Sequence, residues 1–201
     1  MKIVNVMNFI RAVEPREYQI SLLLDFHKTS GVCNPNAGDG LDEDTRYAMR
    51  VEEGRKALFE TARLQLELAL ETKAPTTFLL QYDTLCDERY VELFKSVPDY
   101  IEIGLWYEIV KEMADDAGLE YKSKSGWTWD WHIEPGFSMS YVQNDRKALA
   151  KTAMEKFKNV FGSYPKTVGS WLIDTYTVNY LADNYDLDAV CICRDEVNTD
   201  A

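Results

Sequence analysis

The sequence predicts an α/β fold of parallel strands, a distorted or incomplete (β/α) barrel with about six strands present, in a chain of 201 residues. Short apolar runs alternate with longer amphipathic stretches along most of the chain, the order of a strand–helix–strand protein. The runs are apolar throughout instead of alternating with polar residues, which is how strands buried on both faces of a parallel sheet read. A closed eight-stranded barrel takes about 250 residues. The chain therefore reads as one barrel-like domain, residues 1–201, cut short at its C-terminus.

Each element has its own signal. Residues 3–10 form an apolar run that ends in the turn pair Glu14-Pro15, a strand followed by a turn. Residues 16–26 follow a helical pattern, and the glycines and proline of residues 31–40 break it into a loop. Residues 45–73 carry Leu58, Ala62, Leu66, Ala69 and Leu70 at helical spacing among charges of both signs, a long amphipathic helix. Strands are then expected at 76–82, 100–105, 127–132, 166–172 and 189–193. Between them lie helices at 87–96, 108–117, 144–161 and 175–184, with Gly118 and Gly162 placed to stop two of them.

Composition narrows the function. Lys and Arg number 22 against 34 Asp and Glu, a formal net charge of −12, and binding to phosphate backbones or anionic membrane surfaces draws on the opposite sign. With 46% hydrophobic residues the chain can bury a core. Its N-terminal run is too short and too polar for a membrane span or a leader, so the chain reads as cytoplasmic, or as secreted with its signal peptide absent from this sequence. Cys33, Cys86, Cys191 and Cys193 are irregularly spaced, which argues against a disulfide framework. Cys191 and Cys193 would share one face of a strand, where packing as small apolar residues is their simplest role.

In parallel α/β folds the chemistry gathers at the carboxyl ends of the strands. That rule selects Asn8 and Arg11, Asp83, Trp106 and Glu108, Asp130 with His132 and Glu134, Trp171 and Asp174, and Arg194 with Asp195 and Glu196. Acids and tryptophans dominate. Carboxyl groups do the acid/base or nucleophilic work of sugar hydrolysis, and flat aromatic faces cover the apolar side of a pyranose ring. Asp83 and Asp174 also stand where a helix cap would stand, and Trp106 and Trp171 are equally plausible as core. Trp127, Trp129 and Trp131 fall within five residues, more than one strand face can bury, so some of them should line a cleft. Asp130 and His132 have the same-face spacing of a strand and can form an oriented acid/base pair or partial metal ligands. No Gly-x-Gly-x-x-Gly, phosphate loop, His-Glu-x-x-His or Gly-x-Ser-x-Gly occurs, which removes support from nucleotide-binding, zinc-protease and serine-hydrolase readings.

Three segments together resemble a known family: Ala74-Pro75-Thr76-Thr77-Phe78-Leu79-Leu80, Ile101-Glu102-Ile103-Gly104, and Phe161-Gly162-Ser163-Tyr164-Pro165 leading to Gly169-Ser170-Trp171. In order and distance they are similar to the NodB-like polysaccharide deacetylases and the wider glycoside hydrolase/deacetylase β/α-barrel superfamily, over residues 73–195. The resemblance implies hydrolysis at a carbohydrate, often deacetylation with a divalent metal held by Asp-His-His. The metal motif departs from that pattern: Asn8 stands near the expected Asp pair, and His132-Ile133-Glu134-Pro135-Gly136 ends in Gly where a second His belongs, followed by Phe137-Ser138. Catalytic zinc needs about three protein ligands, so no cofactor is expected beyond a weakly held divalent metal at His132.

The expected function is a carbohydrate-active hydrolase, a glycosidase or deacetylase-like enzyme, in which Asp130 and His132 form the acid/base unit and Asp174 or Asp83 supplies the second carboxylate. Trp106, Trp129, Trp131, Trp171, Arg11 and Arg194 are the expected substrate contacts. The alternative is a non-catalytic glycan-binding relic of the same superfamily. Expected partners are an oligosaccharide or polysaccharide, neither nucleic acid nor a membrane, and a second copy of the chain through an open sheet edge.

Overall fold

The computed structural model of the chain describes residues 6–10, 43–122 and 133–192. Five strands form a single parallel sheet in sequential order, β1 (Val6–Ile10), β2 (Thr76–Gln81), β3 (Ile101–Trp106), β4 (Thr167–Ser170) and β5 (Ala189–Ile192). The helices are α1 (Glu43–Thr72), α2 (Glu88–Phe94), α3 (Lys111–Asp116), the short α4 (Ile133–Gly136), α5 (Gln143–Phe161) and α6 (Thr175–Asn184). A 3₁₀ turn, Thr84–Cys86, joins β2 to α2.

The expected parallel α/β sheet is present, with five strands among the described residues instead of about six. The remaining expected strand, residues 127–132, lies outside the described residues, as do the expected helix at 16–26 and the loop at 31–40. β3 pairs directly with β4, so no strand stands between them in the sheet.

Strand alternation sorts the sheet into two faces. Phe78, Leu80, Ile101, Leu105 and Val168 belong to one buried cluster together with Ala62, Leu66 and Ala69 of α1, Tyr90 and Phe94 of α2, Met113 of α3, Leu149 and Phe157 of α5 and Leu181 of α6. Helices α1, α2, α3, α5 and α6 therefore cover that face. In α1 the stripe Ala62, Leu66 and Ala69 points inward, whereas Leu70, expected on the same stripe, is 38% exposed. The other face carries Thr77, Leu79 and Gln81 of β2, Glu102, Gly104 and Trp106 of β3, and Thr167 and Gly169 of β4, in matching register. Thr77, Leu79, Gln81, Trp106 and Thr167 are buried there as well, and all of β2 is buried on both sides.

Layers along this second face explain two glycines. The Glu102 carboxylate accepts hydrogen bonds from the hydroxyls of Thr77 at 3.0 Å and Thr167 at 2.6 Å, tying three neighbouring strands together. Above it Leu79 fills the space that side chains at positions 104 and 169 would need. A Cβ on Gly104 would stand 2.6 Å from the Thr167 carbonyl oxygen and 2.7 Å from Leu79, and one on Gly169 would stand 2.5 Å from Leu79. Gly118 and Gly162 end their helices with φ of 71° and 85°, as their placement predicts.

β3 and β4 are joined by only two register pairs, Leu105↔Val168 and Trp106↔Gly169, at the carboxyl end of β3. Beside the unmatched amino half of β3, Phe94, Ile103, Phe157, Tyr164 and Lys166 help line a groove of about 410 Å³.

Candidate functional site

The carboxyl ends of the three central strands set Gln81, Trp106 and Gly169 side by side in register. Trp106 is 3% exposed, its ring lying against the space that a side chain at Gly169 would occupy. Trp171, one residue beyond β4, meets Trp106 edge to face, with ring centroids 5.6 Å apart and planes at 82°, yet it is 42% exposed. One tryptophan is thus core and the other is a partly open aromatic surface braced by it. The chain leaves β3 through Tyr107 to Val110, all buried. The Tyr107 amide donates to the Gly169 carbonyl at 2.7 Å, and the Ser170 hydroxyl donates to the Tyr107 carbonyl at 2.8 Å. Glu108 is fully buried in this segment.

Asp83 follows β2 and is 6% exposed. Its side chain does not cap the 3₁₀ turn that starts after it, so capping does not account for the carboxylate. Burial raises the pKa of Tyr90, and the nearby Asp83 charge raises it further.

Asp174 caps α6 and does much more. Its carboxylate accepts from the Thr177 amide at 3.1 Å, the Thr177 hydroxyl at 2.6 Å and the Ser138 hydroxyl at 2.7 Å, and it pairs with the Arg146 guanidinium at 3.0 Å. Burial by itself would raise its pKa, but the hydrogen bonds from Thr177, Ser138 and Arg146 outweigh it and hold the carboxyl below the ordinary value. Arg146 also donates to the carbonyl oxygens of Tyr141 at 2.7 Å and Met139 at 3.3 Å. Ser138 is buried with φ of 68°, a conformation uncommon outside glycine. Asp174 and Arg146 thereby pin the turn at 138–141, which leads into α5, against the start of α6.

Of the residues selected from the sequence, Asp83, Trp106, Trp171 and Asp174 stand along this edge of the sheet. Asp130, His132, Trp129, Trp131, Arg11 and Arg194 lie outside the described residues, as do Cys33 and Cys193. Gln81, Glu108 and Ser170 are buried polar groups of the edge that stand outside the chemistry expected from the sequence. For Gln81 the signal is a polar residue closing the apolar run Phe78-Leu79-Leu80 of β2. Of the resembling family's metal motif, Gly136 offers no ligating side chain and His132 lies outside the described residues. Among the described residues no group of three or more His, Cys, Asp and Glu side chains is arranged to hold a metal ion. Among the described residues no helix is long and apolar enough to cross a membrane. No family model, no curated protein and no solved structure matches the chain.

Proposed function

We propose that the chain is a carbohydrate-active hydrolase whose sheet belongs to a β/α barrel and whose site lies at the carboxyl edge of β2, β3 and β4. The observation that carries this reading is Trp171, an aromatic surface left open at the edge where parallel α/β proteins place their chemistry and held in orientation by the buried Trp106. An open indole at the same sheet edge as the buried acids Asp83 and Glu108 suits a sugar ring, which needs an apolar platform and carboxyl groups together. The barrel part of the reading rests on strand order. A sequentially wound sheet with its five longer helices on one face leaves the other face to be covered by its own curvature.

Within this proposal Asp83 is the described carboxylate assigned to the chemistry, acting with the Asp130 and His132 pair read from the sequence. Asp174 is a positioning group, because its oxygens already serve Thr177, Ser138 and Arg146. That engagement also favours a second reading, a glycan-binding protein without turnover, since one of the two expected carboxylates is spent on structure. Turnover and binding on a panel of neutral oligosaccharides and their acetylated forms separate the readings. Loss of turnover in Asp83→Asn with binding retained supports the hydrolase. Binding without turnover in the native chain supports the second reading. Unchanged affinity in Trp171→Ala removes the site from this edge.

A further inference from the structure

Gln81 is the last residue of β2, fully buried, and by strand alternation it lies on the face of Thr77 and Leu79, in register with Trp106. Among the described residues neither its Nε2 nor its Oε1 has a hydrogen-bond partner. Leaving a buried amide unanswered costs about 1–3 kcal/mol for each group, and a leucine would fill the same strand position without that cost. Folding gives no reason for glutamine here.

We propose that Gln81 is a specificity-determining contact of the site, its amide offering a donor and an acceptor together to adjacent hydroxyls of a neutral sugar ring. This rests on the carbohydrate reading of the same edge. A primary amide carries no charge, so it selects hydroxyl pairs over carboxylate or amine substituents, and the exposed Trp171, braced on Gln81's register partner Trp106, offers the apolar platform at the same sheet edge. Solvent does not reach the amide, so the rim must open for a sugar to engage it, which makes association slower than simple encounter.

The test compares the native chain, Gln81→Leu and the unbranched Gln81→Met against neutral cello-, xylo-, malto- and chito-oligosaccharides, and against deoxy analogues lacking one hydroxyl of a vicinal pair. Each variant should melt at or above the native temperature and bind the responding oligosaccharide at least tenfold more weakly. The deoxy analogue should lose affinity for the native chain and lose no more for the variants. Native binding with equal affinity in a folded Gln81 variant overturns the role of Gln81 and leaves the carbohydrate reading intact. No response of the native chain to any of these sugars overturns both.

Discussion

Replacing Asp174 by alanine removes four contacts at once: the cap on α6, two hydroxyl donors and one ion pair. Loss of a helix N-cap costs about 1 kcal/mol. The Arg146 and Asp174 side chains are 21% and 11% exposed, so stranding the guanidinium costs less than the 3–5 kcal/mol of a fully buried pair, and about 2 kcal/mol is a fair figure. The sum is about 3 kcal/mol, and at roughly 2–4 °C per kcal/mol for a chain of this size the melting temperature should fall by about 6–12 °C. Asparagine at this position would keep the cap but lose the charge, so Asp174→Asn should recover about a third of the loss. The pH dependence gives an independent check. The folded-state pKa of Asp174 lies below its unfolded value of about 4. Its contribution is therefore complete above that value and is lost as pH falls through the folded one. Thermal and urea unfolding of the native chain and Asp174→Asn should show a gap that is widest at neutral pH and narrows in acid. Native-like stability of Asp174→Ala at pH 7, or a gap that does not change with pH, refutes the clamp.

Other expectations follow from the same geometry. Gly104→Ala should destabilise by about 1–3 kcal/mol in urea unfolding, because its Cβ meets the Thr167 backbone, which cannot rotate away. Trp106→Ala should cost about 3–5 kcal/mol as a core truncation, whereas Trp171→Ala, 42% exposed, should cost far less, and equal losses would mean that Trp171 is core after all. Burial raises the pKa values of Tyr82, Tyr90 and Tyr107, helped at Tyr82 by its 2.6 Å hydrogen bond to Asp116. The stability they contribute is full below the ordinary tyrosine value of about 10 and is lost as pH rises above it. Phenolate absorbance should then appear for these three only together with unfolding; a smooth titration of every tyrosine in the folded chain would contradict their burial.

Much of the fold was legible because it is local. Helix α6 occupies Thr175–Asn184 as the periodicity predicts, and Gly118 and Gly162 stop their helices where a left-handed residue is needed. Boundaries moved where the strand ends are used for other bonds. The helix expected from Glu108 begins at Lys111, because Tyr107 and Ile109 first bond across to Gly169 and Gly136. Helix α4 was not expected at all; its four residues, with Pro135 and Gly136, carry no periodic signal. The capping role of Asp174 could be read from its position, but the guanidinium that completes it comes from Arg146, and Ser138 lies 36 residues away. The silence of Gln81 is a property of three-dimensional surroundings, and no spacing in the chain announces it.

The narrow β3–β4 seam makes the sheet two leaves of unequal strength. Six register pairs bind β2 to β3, while two bind β3 to β4. The leaf made of β4, α6 and β5 can therefore open with little loss of backbone ladder, against the Tyr107–Gly169 and Ser170–Tyr107 hydrogen bonds, the Glu102–Thr167 and Asp174–Arg146 contacts, the Trp106–Trp171 pair and the burial of Val168 and Leu181. In hydrogen–deuterium exchange, amides of β4 and β5 should exchange through this partial opening while those of β2 and β3 wait for global unfolding. The residues that shape the candidate site are also the latch of that leaf, so whatever fills the site also holds the two leaves together.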